Sequence, residues 1–438
     1  MAGADHRYDA LFEAVGVIRV REFSQLLNTS QAFAANRVLG GRRVAVLTST
    51  GGAATLVVDS LEEAGLFLPV PDHDLHGQLR AIRTDEGATL DSNPIDVTLA
   101  GVQRDTLQAY LQALVGSPLY DAVVVVVGTS SIARPKLLCD AIKACLPLTD
   151  KPIVTYVSPH APNINHLMAA SGIPAFSTPE GCAAALAAMA KRAEWSPLET
   201  GSPLAVVLPE LPSGPLDEAE ARALFSAYGI TGVREKVVDG VPDIHAIQAT
   251  AAWGDRVVLK VLSKDILHKT EVGGVALDVP VEDLAPRIEQ MRRTVRQHTG
   301  IDPTRFLIQE HLVGGVELIV GMDRDDLGTT LMVGAGGLAA ELQADFAVTL
   351  LPDSGGLAAE QIYRLLQQLR CFPLLTGFRG KAPADMNALL HAVAAFSCLG
   401  VALGDRLVTA EINPLIVMPD DQGVRAVDAV AVLSESYK

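Results

Sequence analysis

From Arg43 to about Arg192, unbroken apolar runs alternate with stretches in which apolar residues recur at helical spacing. RVAVL (Arg43 to Leu47) leads into TSTGG and a helical stretch reaching Ala64. DAVVVVV (Asp121 to Val127) precedes a second helix and PIVTYV (Pro152 to Val157) a third. A strand apolar at every position must be covered on both faces, so such runs separated by helices predict a parallel sheet with helices on each side.

The order of these elements predicts an α/β, flavodoxin-like doubly wound domain over residues 41–195. SPLETGSPLAVVLPELPSGPLD then breaks both periodicities with clustered proline, serine and glycine, which predicts a linker over 196–216. Asp217 is a fitting N-cap for a helix that runs to Tyr228 and stops at Gly229. Beyond it, strand-like VVLKVL, GVALDV, FLIQEHL, VELIVGM and TTLMVG are interspersed with a helix around Val281 to Thr299. Helices around Glu360 to Leu369 and Ala384 to Cys398 follow, then a strand pair at LVTAEINPL and GVRAVDAV. This mixture predicts an α+β domain over 217–438.

At 438 residues the chain exceeds what one hydrophobic core supports, in keeping with two or three domains. The net charge of −16 repels a phosphate backbone, and no basic stripe offsets it, so no nucleic acid partner is expected. A single nucleotide is still compatible, because local amides, lysines and Mg²⁺ neutralise a triphosphate inside an acidic protein. The five cysteines are odd in number and lack metal-ligand spacing, so they read as reduced core residues. The N-terminus has no apolar signal core and no run approaches the roughly 20 residues of a membrane span, which predicts a cytoplasmic chain without a membrane partner.

Lys260 ends an apolar strand and is followed by SKDILHKTEVGGV, with His268, a second lysine and paired glycines. A lysine leaving a strand reaches triphosphate oxygens and glycines admit close approach of the backbone to an anion, although a surface lysine beside a turn gives the same letters. Glu310 and Glu317 stand at the end of one strand and the start of the next, placed for a ribose and a metal or merely solvated. VGAGGLAAE runs a strand into a glycine-rich turn at Gly336 and Gly337, outside any dinucleotide-binding context. EINPLIV with Asp428 offers Glu411, Asn413 and Asp428, an oxygen set that suits Mg²⁺. The turn Thr48, Ser49, Gly51 and Gly52 opens a helix whose N-terminus suits a phosphoryl group, or is a plain tight turn.

In their order, SKDILHKTEVGGV, QEHLVGGVELIVGMDRDD, GTTLMVGAGGLAAELQAD, LLTGFRGKAPAD and EINPLIV resemble the ATP-grasp domain of ADP-forming acyl-CoA synthetases, relatives of succinyl-CoA synthetase. GRRVAVLTSTGGAATLVVD with SNPIDV resembles the second flavodoxin-like module of the same enzymes. The resemblance implies ATP/ADP and Mg²⁺ as cofactors, CoA and a small carboxylic acid as substrates, and an acid–thiol ligase. It further implies Lys260 at the triphosphate, Glu310 at adenine and ribose, Glu317 at the nucleotide or its metal, Gly336 and Gly337 at phosphates, and Asn413 and Asp428 on Mg²⁺. His268 matches a histidine that carries a phosphoryl group; neutral imidazole is a competent nucleophile towards phosphorus.

Residues 1–40 resemble a remnant of the preceding ligase domain, beginning just after the family's Ser-His-Thr-Gly-Ala loop. The CoA-binding domain and that loop are therefore expected in a partner domain or subunit, giving a homo- or hetero-oligomer; His6 is not taken to replace the missing histidine. Gln343-Ala344 also departs from relatives that carry a basic residue before the aspartate matched by Asp345. The competing expectation is an ATP-binding regulatory or scaffolding protein that has lost ligase activity.

Overall fold

The structure, a computed structural model, describes residues 4–435 except 83–86, 130–133, 205, 209, 241–249, 251, 264, 267–268 and 338–343. The chain divides into two compact units: Gly16–Ser196, and Met1–Val15 together with Pro197–Lys438.

In the unit Gly16–Ser196, strands β1 (Val44–Thr48), β2 (Ile95–Asp96), β3 (Ala122–Val127), β4 (Ile153–Val157) and β5 (Ala175–Phe176) form one sheet. Its order is β2-β1-β3-β4-β5 with every pairing parallel, the flavodoxin-like order. The three long strands are buried at every position. Alternation of side chains explains it: Val123, Val125 and Val127 enter a core with Leu111 and Ile142, whereas Val124 and Val126 enter another with Leu61 and Leu186.

Asp121 ties the start of β3 to the start of β1. Its carboxylate accepts from the Arg43 backbone N–H at 2.9 Å and from the guanidinium at 3.0 and 2.8 Å. Those hydrogen bonds outweigh burial and hold the carboxyl below the ordinary carboxylate range. Asp121→Asn is expected to cost about 1–3 kcal/mol at pH 7. Because the folded-state value is depressed, this stabilisation is complete above the unfolded value, about 3.9, and is lost as pH falls through the folded one. Urea melts should therefore separate wild type from variant at neutral pH and bring them together in strong acid.

The described residues of the second unit form two sheets. Strands β7 (Glu235–Asp239), β8 (Arg256–Val261), β9 (Val275–Pro280) and β10 (Arg305–Glu310) pair antiparallel in the order β7-β10-β8-β9. The helix Leu284–Thr299 lays Leu284, Ile288, Met291 and Val295 on one face of them.

The larger sheet runs β13-β12-β11-β14-β16-β6, with β15 also on β14. These strands are β6 (Gly214–Pro215), β11 (Val316–Asp325), β12 (Gly328–Ala335), β13 (Phe346–Leu350), β14 (Leu407–Val417), β15 (Val424–Ala426) and β16 (Ala429–Leu433). Its apolar face, with Leu318, Val320, Ile412 and Leu415, packs against helices Glu218–Ala227, Ala359–Leu366 and Met386–Leu403. Alternation sends Glu317, Asp323 and Glu411 to the opposite face. There the helix Ala4–Val15 sets Arg7 against Asp323 at 3.1 Å and against Asp325, with His6 edge-on to Phe346 at 5.1 Å.

Two expectations are corrected. The segment Met386–Arg406 is long and apolar enough to cross a membrane, with a mean hydropathy of 1.8 over an 18-residue stretch, so the chain does contain such a run. It is a core helix: 56% of that stretch is buried, because it is wedged between the large sheet and neighbouring helices. The strand expected over GVRAVDAV is two strands, β15 and β16, both on β14. They part where β14 itself is irregular: Val320 faces Ile412 but Leu318 faces Leu415, leaving an extra residue at Asn413-Pro414.

Candidate functional site

Strand β8 turns Val257, Leu259 and Val261 into the core under helix Leu284–Thr299, so Lys260 points out of the other face. It is nonetheless 4% exposed. Its ammonium donates to Glu218 Oε1 at 2.8 Å and to the carbonyl of Val427 at 3.3 Å, with Asp428 Oδ2 at 3.5 Å. Glu218 stands in the first turn of the helix that Asp217 caps, a capping box with Glu220 holding that turn in shape. Its other oxygen accepts from Lys269 at 2.6 Å, and Gln309 donates to Oε1 at 3.1 Å. Burial opposes the charge on Glu218, but the two ammonium groups outweigh it and hold the carboxyl below its ordinary value.

Around this cluster the charges alternate. Gln309 also donates to Glu235 at 3.2 Å, and Glu235 faces Arg222 at 2.9 Å; burial raises the Glu235 carboxyl, with Arg222 opposing. Asp428 lies in the break between β15 and β16, where its carbonyl accepts from the Asn413 N–H at 3.3 Å. Crowding by surrounding atoms raises the Asp428 carboxyl and Lys260 draws it back. Glu411 is raised as well, by burial first, while a hydrogen bond from the Asn413 side chain lowers it. The structure thus brings Lys260, Asn413 and Asp428 to one place, with Glu411 adjoining.

Glu317, Gly336 and Gly337 form a second group. The Gly336 N–H donates to the Glu317 carbonyl at 2.9 Å, and a Cβ on Gly336 would fall 2.6 Å from the Leu318 carbonyl carbon. Gly337 has φ +66°, and a Cβ there would fall 2.0 Å from the Glu317 carboxylate. Backbone excludes a side chain at Gly336, and the left-handed φ of Gly337 disfavours one there, which leaves backbone beside an exposed carboxylate. Glu317 and Gly336 line a cavity of about 560 Å³ with Phe378 and Lys381. Glu310 stands apart from both groups, its carboxylate taken by the Arg234 N–H at 2.9 Å and guanidinium at 2.5 Å. His268 lies outside the described residues.

In the other unit, Thr48 Oγ1 accepts from the Thr50 N–H at 2.9 Å, and the helix Gly51–Glu63 begins without a side-chain cap. Among the described residues, nothing beyond the chain neighbours and the helix's own backbone lies within 4 Å of a Cβ added to Gly51 or Gly52. Packing against the described residues therefore does not demand glycine there.

Sequence reasoning gave no role to Glu218, to Gln309 or to the second lysine, Lys269. An acidic residue after an N-cap reads as a helix-dipole partner, and nothing local marks Glu218 as a counter-ion for lysines 42 and 51 positions away. Chemically, the cluster offers two ammonium groups to an anion beside oxygen donors suited to a hard cation. Among the described residues no three or more His, Cys, Asp or Glu side chains gather as a metal cage. Asn413 and Asp428 nonetheless carry oxygen atoms of the kind Mg²⁺ takes, an ion that commonly uses one or two carboxylates and fills its shell with phosphates and water.

A family model described as an ATP-grasp domain matches residues 211–433. The chain is 25% identical to an ADP-forming acetate–CoA ligase of Archaeoglobus fulgidus, over 99% of this chain and 63% of that protein. It is 28% identical to a trans-feruloyl-CoA synthase of an unknown prokaryotic organism, over 95% of this chain and 59% of that one. Half of it is 29% identical to the β subunit of an ADP-forming acetate–CoA ligase of Pyrococcus furiosus, covering 92% of that subunit. The chain thus spans about three fifths of the length of the single-chain relatives it matches. With a matched ATP-grasp domain behind a flavodoxin-like sheet, the chain belongs to the ATP-grasp family of ADP-forming acyl-CoA synthetases.

Proposed function

We propose that this chain carries the nucleotide-binding portion of an ATP-dependent acid–thiol ligase, in which a carboxylic acid, CoA and ATP give acyl-CoA, ADP and phosphate. The observation that carries the proposal is the cluster in which buried Glu218 binds both Lys260 and Lys269 while Lys260 also faces Asp428. Polyphosphate binding needs cations held in register beside oxygen donors, and phosphoryl transfer is accelerated chiefly by such positioning and charge neutralisation.

In this reading Lys260 contacts the triphosphate, Glu310 and its neighbouring backbone take adenine and ribose, and Glu317 faces the nucleotide or its metal. Gly336 and Gly337 admit phosphate oxygens. Asn413 and Asp428 hold Mg²⁺, which when bound neutralises charge developing on the phosphates. His268 receives the γ-phosphoryl group and passes it on, and the turn Thr48, Ser49, Gly51 and Gly52 receives a phosphoryl group at its helix N-terminus. Reduced cysteines, four of five buried, agree with a cytoplasmic setting.

The relatives' greater length supports a further CoA-binding portion carrying the remaining histidine loop, as another domain or subunit. A polypeptide of these 438 residues is expected to form no acyl-CoA, and to do so once that portion of such a ligase is added as a separate chain. Activity should rise with the concentration of the added chain, because an intramolecular contact has become bimolecular. Thioester formation by the 438 residues alone would contradict the need for a partner. ATP binding without thioester at any partner concentration would favour a regulatory role.

A further inference from the structure

The two lysines on Glu218 differ in what they have left to give. An ammonium has three N–H donors, and Lys260 has three acceptors around it: Glu218 at 2.8 Å, the Val427 carbonyl at 3.3 Å and Asp428 at 3.5 Å. Among the described residues the Lys269 ammonium has one partner, Glu218 Oε2 at 2.6 Å, and its side chain is 15% exposed. Among the described residues two of its donors remain for an anion. Lys269 is also held at its backbone, where its carbonyl accepts from the Gly274 N–H at 2.7 Å. A Cβ at position 274 would come within 3.0 Å of that carbonyl oxygen.

Glu218 cannot follow a moving lysine. Its side chain is 1% exposed, its helix turn is fixed by the capping box of Asp217 and Glu220, and Gln309 donates to it from β10. Because one rigid carboxylate takes a lysine on each oxygen, the two ammonium groups stand side by side. We infer that Lys269 is a second phosphate-binding cation of the nucleotide site and that Glu218 is the positioning residue that orients it. The inference rests on the nucleotide reading above. Its chemistry is charge-assisted hydrogen bonding from two adjacent ammonium groups to the β- and γ-phosphates, with no contact to base or sugar.

The test is calorimetric binding of Mg-ATP and of adenosine to wild type, Lys269→Met, Glu218→Gln and Glu218→Asp. Loss of one charge-assisted contact should weaken ATP about tenfold in Lys269→Met, with adenosine unchanged. Glu218→Gln should lower the ATP-to-adenosine affinity ratio likewise, and Glu218→Asp, which keeps the anion, should restore most of it. A purely structural Glu218 would lower the melting temperature and leave the ratio untouched. That result, or an unchanged ratio in Lys269→Met while wild type binds ATP, overturns the inference. If wild type binds neither ligand, the nucleotide reading falls first. Should Glu218→Gln fail to fold, Lys269→Met and Glu218→Asp decide by the same ratio.

Discussion

Incubated with γ-labelled ATP and Mg²⁺, the chain is expected to acquire phosphate on His268, acid-labile and base-stable. Neutral imidazole near pH 7 has a free lone pair for phosphorus, and the phosphoramidate it forms stays reactive enough to pass the group on. Lys269, the next residue in sequence, is tied to Glu218 at 2.6 Å and so belongs to the lysine cluster. Peptide mapping after a brief incubation reads the outcome. His268→Ala should abolish the label entirely; equal labelling of that variant, or label on serine, would remove His268 from the relay.

Replacing Lys260 by alanine should have the next largest effect, on two quantities at once. Wild type in the presence of Mg-ATP at 100 times its dissociation constant should gain about 2.7 kcal/mol of stability. The variant should lose most of that gain, since a hydrogen bond from an ammonium to a charged group contributes about 1.5–3 kcal/mol. Stability without nucleotide should fall too. Breaking a buried ion pair typically costs about 3–5 kcal/mol, and the lower end is expected because Lys269 still neutralises Glu218. Thermal melts with and without Mg-ATP measure both, and exposed Lys136→Ala should match wild type in each. A full ATP-induced shift in Lys260→Ala would place the triphosphate elsewhere.

Much of the architecture is local and so was legible in the chain of letters. Strands β1, β3 and β4 announce themselves because a strand covered on both faces must be apolar at every position. Asp217 announces the start of a helix because free amides there need an acceptor, and the structure finds its side chain accepting from Glu220 N–H. The five ordered blocks told the family, since a domain's motifs keep their order while their spacing drifts.

What only the tertiary structure decided is which side chains meet. Glu218 lies 42 residues from Lys260 and 91 from Gln309, and no periodicity records that a helix cap, two strands and a glycine-rich turn converge on one carboxylate. The break that carries Asp428 exists because β15 and β16 both pair with β14 and must part at its irregularity, a property of the partner strand. The apolar run at Met386–Arg406 meets the length and hydropathy of a membrane span, and only the sheet and helices packed around it make it a core helix. Periodicity encodes whether a side chain is buried; the partner it is buried against is set by the packing of elements distant in sequence.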